Sequence, residues 1–189
     1  MKLVHGVGIN DKNRPVFING KKSKEYTRWT GMLLRCYRDS DAFKSYMDCN
    51  VSDEFKNYTF FYDWCQNQVG FSFGFELDKD LLEKGNKEYH PDKCVFIPQE
   101  INLFIRVKKQ TRGLYPIGVT INRWGNYIAQ ISIHSENVYL GWHKTPEQAF
   151  QAYKIAKEAH IKVLANKYKD QIDPRAYDAL MNYKVEITD

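Results

Sequence analysis

The sequence predicts an α+β protein, because one stretch has the spacing of a strand and two others have the spacing of helices. Apolar and polar side chains alternate over Tyr127–Ile133, which is the period of a half-buried strand. Residues 145–148 then combine an N-cap hydroxyl, a proline at the first helical position and a glutamine three residues past the cap. Apolar residues also recur at helical spacing over residues 24–38.

The composition is that of a folded protein with a mildly basic surface. Of its 189 residues, 43% are hydrophobic and 15% aromatic, which argues against a disordered chain. The net charge of +5 is compatible with nucleic-acid binding but is only weak support for it. No stretch has the pattern of a secretory signal or the length of a membrane span. A soluble, cytoplasmic protein without a membrane partner is therefore expected.

The amino-terminal half is expected to begin with a strand pair, residues 4–9 and 15–18. The helix over residues 24–38 follows, with Trp29 on its apolar face. A second helix is expected to open at residue 52 and to continue to residue 66, because aromatic side chains recur along it at helical spacing.

Residues 71–77 and 94–97 are expected to form two further strands, and Pro98 opens a short helix. Residues 106–113 are basic and too polar for a core element, which is typical of a linker.

The carboxy-terminal half is expected to contain three short strands followed by the helix that begins after Thr145. Turn residues at 124–126 and 135–137 separate the strands. A last short helix is expected around residues 174–183.

The four cysteines show no Cys-x-x-Cys spacing, and each has apolar or aromatic neighbours. Free, buried thiols in a reducing compartment are the expected state. A structural zinc ion held by Cys36 and Cys49 is the alternative.

A series of residues in the second half suggests a DNA-binding domain. The series is Gly118-Val119, Tyr127-x-Ala129-x-Ile131, Leu140-Gly141-Trp142, Thr145-x-Glu147-x-Ala149 and Ala152-Tyr153. It resembles the ethylene-response-factor (APETALA-type) domain, in which a three-stranded antiparallel sheet packs on one helix and lies in the major groove. The resemblance implies that the outward side chains read DNA, and these are Thr120, Asn122, Arg123, Trp124, Ile128, Gln130 and Ser132. The alternative is a small sheet whose polar face meets only solvent.

A second series lies in the first half. It runs from Trp29-x-x-Met32-x-x-Arg35-Cys36-Tyr37 and Tyr46-x-Asp48-Cys49-x-Val51 to Leu77-Asp78-Lys79-Asp80 and Asn102. This order resembles the HNH nucleases, in which a hairpin and a helix hold one divalent metal ion. It is most similar to phage-borne HNH homing endonucleases that carry an ethylene-response-factor-type domain. The resemblance covers nearly the whole chain and implies a ββα-metal module.

The HNH resemblance implies a hydrolytic site with two departures. Asp78 and Asn102 match the two metal ligands, which would hold Mg²⁺ or another divalent metal, with no organic cofactor. Lys79 stands where the basic histidine belongs, and Lys93 where the orienting asparagine belongs. A lysine with an ordinary pKa of about 10.4 is protonated at neutral pH and cannot take a proton from water.

Three substitutes for the missing groups are open. Asp80 is a candidate second ligand or base, His90 is a candidate base, and Asn86 is a candidate for the orienting amide. If catalysis is lost, the altered positions and the linker are expected to contact DNA phosphates instead. The lysines concerned are Lys79, Lys93, Lys108 and Lys109.

The expected organisation is an HNH-like module over residues 1–105, a linker over 106–113, a DNA-binding domain over 114–169 and a tail over 170–189. The expected function is binding of double-stranded DNA, with metal-dependent nicking or cleavage if the site works. The alternatives are an inactive DNA-binding or regulatory protein and a phage protein that binds a host defence factor. A phage-encoded chain would act in the host cytoplasm. The tail either offers apolar anchors to a protein partner or packs on its own domain.

Overall fold

A computed structural model describes residues 2–46, 48–106 and 114–189 of the chain, which divides into two compact units. The first unit comprises Met1–Asn102 and Lys169–Ala179, and the second comprises Leu103–Tyr168 and Leu180–Asp189. The expected tail is thus divided between the units, and only Arg106 of the expected linker is among the described residues. The structure confirms the α+β class. In the described ranges, no helix is both long enough and apolar enough to cross a membrane.

The first unit is built on short helices around an aromatic core. They are α1 (Lys24–Tyr37), a 3-10 helix (Asp41–Tyr46), α2 (Asp53–Lys56), α3 (Tyr58–Gln66) and the start of α4 (Gln99–Ile105). The α1 helix agrees with the prediction, and Ser23 caps it by accepting a hydrogen bond from the N–H of Tyr26 at 3.1 Å. Trp29, Phe55 and Phe61 are fully buried, and burial of each such side chain contributes about 1.5–3 kcal/mol.

The helix predicted over residues 52–66 is interrupted at Asn57. This residue has extended backbone angles (φ −87°, ψ 122°), which end α2. Its side-chain oxygen accepts a hydrogen bond from the N–H of Phe60 at 2.9 Å and so caps α3. The prediction of one continuous helix is wrong, because a single asparagine ends one helix and starts the next.

The strands of the first unit are short and, over its described residues, form three two-stranded sheets. The pairs are β1 (Phe17–Ile18) with β2 (Lys21–Lys22), β4 (Glu76–Asp78) with β6 (Val95–Ile97), both antiparallel, and β3 (Asn50–Val51) with β5 (Glu88–Tyr89), parallel. The prediction that residues 4–9 pair with 15–18 is wrong, because Val4 instead bridges Gly8 across a local turn. Residues 71–74 also form a turn, so the strand predicted from residue 71 begins only at Glu76.

The second unit matches its prediction of three strands and a helix. The strands β7 (Val119–Ile121), β8 (Tyr127–Ile133) and β9 (Glu136–His143) form one antiparallel sheet in that order. The α5 helix (Pro146–Lys167) begins at the predicted cap, Thr145, which accepts a hydrogen bond from the N–H of Gln148. Its buried residues Ala149, Phe150 and Tyr153 pack with the inward side chains of the sheet.

The tail contains the α6 helix (Pro174–Met181), close to the predicted bounds. Its apolar side chains Ala176 and Leu180 are buried, as is Ile172 just before it. These side chains are therefore not exposed anchors. Capture of a protein partner by the tail stays a prediction without support from this geometry.

Candidate nucleic-acid interface

One face of the β7–β9 sheet is open to solvent. Val119, Ala129 and Ile131 alternate inward and are buried. The residues between them point to the opposite face, because successive side chains of a strand alternate. The sequence-predicted residues on this outer face are Thr120, Ile128, Gln130 and Ser132, of which Thr120 and Ser132 are exposed and the other two half-buried.

The turn between β7 and β8 presents a cation and an indole together. The side-chain oxygen of Asn122 accepts hydrogen bonds from the N–H groups of Trp124 and Asn126, both at 3.0 Å. Asn122 therefore holds the turn. The guanidinium carbon of Arg123 lies 4.1 Å from the centroid of the Trp124 ring, and Trp124 is 70% exposed. This stacking fixes the direction of an exposed arginine.

Two aromatic residues of the outer face escape prediction from the sequence. Trp142 pairs with Ile128, and Tyr139 pairs with Gln130, because a register shift between Ala129 and Gln130 leaves one residue of β9 unpaired. Strict alternation would place Tyr139 and Trp142 on opposite faces, but this bulge brings both outward. They are 61% and 59% exposed. The available signal was the glycine inside β9, since an isolated glycine in a strand often marks a bulge.

The paired positions of the outer face have one feature in common, which is that none of them is a carboxylate. They carry hydroxyl, amide, aliphatic and aromatic side chains. A phosphate backbone would therefore meet no fixed negative charge from these positions.

In the first unit, β4, β6 and the start of α4 give the expected strand, strand and helix order around Asp78. The carboxylate oxygen Oδ1 of Asp78 accepts hydrogen bonds from the N–H groups of Asp80 (2.9 Å) and Leu81 (2.7 Å). Burial raises the pKa of Asp78 above its ordinary value. The side chain thus shapes the turn that follows β4.

Lys79 has its ammonium group inside the first unit. The residue is 6% exposed, and Nζ hydrogen-bonds to the Asp80 carboxylate and, at 2.9 Å, to the carbonyl oxygen of Asn86. Burial acts to lower the pKa of Lys79, but the hydrogen bond and charge of Asp80 outweigh it, so the pKa is raised. Lys79 is therefore a protonated, internally paired cation, which can serve neither as a base nor as an exposed phosphate contact.

Asn102 contacts a carboxylate that the sequence did not single out. Its Nδ2 donates to Glu76 Oε2 at 2.8 Å, and Gln99 donates to the other oxygen of Glu76 at 3.3 Å. Glu76 and Asp78 share one face of β4, because they are two residues apart. From the sequence alone, a strand carboxylate that is hydrogen-bonded within the protein looks the same as one that faces solvent. Glu76 could therefore not be singled out.

The remaining candidates have local partners. Asn86 donates to the carbonyl oxygens of Lys79 and Glu88, at 2.8 and 2.7 Å, so it holds the β4–β5 connection. His90 accepts a hydrogen bond through Nδ1 from the N–H of Asp92 at 3.1 Å. Lys93 pairs with Glu88 at 3.2 Å and lies 3.8 Å from Glu83. Lys108 and Lys109 lie outside the described residues.

These residues do not fit the metal-dependent hydrolytic site implied by the HNH resemblance. The buried ammonium group of Lys79 interacts with the charge of Asp78, where it disfavours a divalent cation, and Asn102 donates to Glu76. Within the described ranges, no three His, Cys, Asp or Glu side chains are arranged to hold a metal ion. The Mg²⁺ requirement stays a prediction.

The cysteines are free thiols, as predicted, and Cys49, Cys65 and Cys94 are buried. Burial raises the pKa of Cys36 to about 12 and also raises the pKa of Cys49, the two thiols of the zinc alternative. The zinc alternative stays a prediction. No family model, no curated protein and no solved structure matches this chain.

Proposed function

We propose that this protein binds duplex DNA through the outer face of the β7–β9 sheet and does not hydrolyse it at the site around Asp78 and Asn102. The observation that carries the proposal is the face of the sheet that is open to solvent. On it, Thr120, Gln130 and Ser132 lie beside exposed aromatic rings, and the turn with Arg123 and Trp124 is adjacent. Such a face combines donors for base edges with surfaces for apolar contact.

The size of the sheet suits the major groove. Three strands at a spacing of about 4.8 Å measure about 10 Å across, and the major groove of B-DNA is about 12 Å wide. Gln130 can bind an adenine edge through two hydrogen bonds, and Arg123 can bind a guanine edge in the same way. Tyr139 and Trp142 add apolar surface for sugars and thymine methyl groups.

Replacing Arg123 with alanine is expected to weaken binding to the preferred duplex by about 1–3 kcal/mol and to relax base preference at one position. The reason is the loss of one base-edge contact whose direction the Trp124 ring fixes. Fluorescence anisotropy of the full chain on a panel of duplexes selected by the wild-type protein measures both effects.

Lys162→Ala is the matched control, because Lys162 is an exposed cation on α5, away from the outer face. It should leave base preference unchanged. If Arg123→Ala weakens binding equally on every sequence, Arg123 contacts a phosphate group and not a base edge. Phosphate contacts dominate affinity at about 0.1 M salt. If the wild-type protein binds no duplex under that condition, the proposal is wrong.

Supercoiled plasmid is expected to stay intact with Mg²⁺ or Mn²⁺. The reason is that the protonated Lys79 stands where the HNH resemblance requires the histidine that accepts a proton from water. Hydrolysis, the alternative implied by the HNH resemblance, needs a group that accepts a proton from water. Agarose-gel analysis of plasmid topology checks this expectation. Nicking that disappears in Asp78→Ala protein would overturn it and restore the nuclease alternative.

A further inference from the structure

Arg35 is a half-buried cation among aromatic rings in the first unit. Its guanidinium carbon lies 5.6 Å from the Tyr46 ring centroid and 5.7 Å from that of Tyr89. Within the part of the chain that the structure describes, its hydrogen bonds run to the Tyr89 hydroxyl alone, at 3.4 Å from Nε and 3.3 Å from Nη2. Both are longer than the roughly 2.7–2.9 Å at which a guanidinium donates to an anionic oxygen.

The charge around Tyr89 is unbalanced. Lys79 Nζ lies 5.8 Å from the centroid of the same ring, so two cations share it. Asp80 pairs with Lys79, whereas no carboxylate among residues 2–46, 48–106 and 114–189 forms an ion pair with Arg35. A partly desolvated guanidinium without an anion is costly, and aromatic faces offset only part of that cost.

We propose that Arg35 binds a phosphate group of the nucleic-acid backbone, so that the first unit contributes a phosphate contact of its own. The identity of the ligand as nucleic acid rests on the proposed function, whereas the anion site rests on Arg35 and its rings. The planar guanidinium matches two phosphate oxygens at once. The rings of Tyr46 and Tyr89 restrict its orientation before the ligand arrives, which lowers the entropy lost on binding.

The test is the salt dependence of duplex binding by the full chain. Arg35→Gln is expected to reduce the magnitude of the slope of log K against log salt concentration by about 0.9, the value for one phosphate contact. Affinity should fall roughly five- to tenfold at about 0.1 M salt. Arg35→Lys keeps the charge and should keep the slope. Arg14→Gln is the matched control, because Arg14 is already paired with Asp63 at 2.6 and 2.8 Å, and its slope should stay at the wild-type value.

The possible failures are distinguishable. If wild-type protein binds duplex and Arg35→Gln leaves the slope unchanged, the assignment of Arg35 is wrong and the sheet interface stands. If wild-type protein binds no duplex, the proposed function fails, and inorganic phosphate is then the probe. Phosphate should shift the Nε–H resonance of Arg35 in the wild-type NMR spectrum, which also covers the case in which Arg35→Gln does not fold. An unshifted resonance with both phosphate and duplex would overturn the inference.

Discussion

Replacing Gly118 with alanine is expected to lower the free energy of unfolding of the second unit by about 2–5 kcal/mol. Gly118 has a φ of +77°, a left-handed conformation that costs a residue with a Cβ about 1–2 kcal/mol. A Cβ at this position would also lie 2.6 Å from Cε2 of Tyr153 and closer still to Cδ2 and Cγ. The Tyr153 ring is buried and cannot move aside, so overpacking adds about 1–3 kcal/mol.

Gly125→Ala is the control for this prediction. Gly125 also has a positive φ, +84°, but a Cβ there would meet no atom within 4 Å. Only the backbone cost of about 1–2 kcal/mol is expected. Urea unfolding of both variants measures the two losses, and equal losses would show that Tyr153 does not resist the added methyl group.

The Gly118 variant should also affect the interface. The carbonyl oxygen of Gly118 accepts a hydrogen bond from the N–H of Gln130 at 2.9 Å, so a shift of residue 118 displaces a strand position that carries an outward amide. We expect duplex binding to fall together with stability in Gly118→Ala.

Replacing Lys79 with methionine is expected to destabilise the first unit by about 2–4 kcal/mol. The carbonyl oxygen of Asn86 would lose the donor that it has at 2.9 Å, and the Asp80 carboxylate would lose its cation. Removing one partner of a fully buried ion pair costs about 3–5 kcal/mol. The Asp80 side chain is 53% exposed and can be hydrated by water, so a smaller loss is expected here.

Lys93→Met is the matched control, because Lys93 pairs with Glu88 at the surface of the same unit. An exposed pair of this kind contributes about 0–1 kcal/mol. Urea unfolding of both variants gives the comparison. A Lys79→Met variant as stable as Lys93→Met would show that the internal position of the ammonium contributes nothing.

The pH dependence of the Lys79 effect has a definite sign. The pKa of Lys79 is raised above 10.5 in the folded chain. Its stabilisation is therefore complete below pH 10.5 and is lost as the pH rises through the folded-state pKa. The difference in unfolding free energy between wild type and Lys79→Met should stay constant around neutral pH and shrink in alkaline solution. A difference that already disappears near neutrality would contradict the raised pKa.

Local signals made the start of α5 and the main sheet predictable. Thr145 and Gln148 are neighbours in sequence whose capping role depends on no distant residue. The alternation along β8 fixed its buried face for the same reason, since Ala129 and Ile131 report the strand period directly.

The partners of the candidate site could not be predicted in the same way. Lys79 meets Asn86, and Asn102 meets Glu76, through chain reversals that the sequence does not specify. The outward position of Tyr139 depends on a one-residue offset between β8 and β9, which changes the face of every residue beyond it. A missed bulge therefore hides part of the surface even when the strand itself is predicted.

The bulge in β9 has one more consequence. The sheet order makes β9 a border strand, with backbone N–H and C=O groups along its free side and apolar rings above. A straight border strand of this kind invites another molecule to add a strand and begin aggregation. The register shift beside Gly141 interrupts the regular spacing of those groups, and bulges of this kind bend a strand. We therefore expect the feature that turns the rings outward also to disfavour the addition of a further strand at this border.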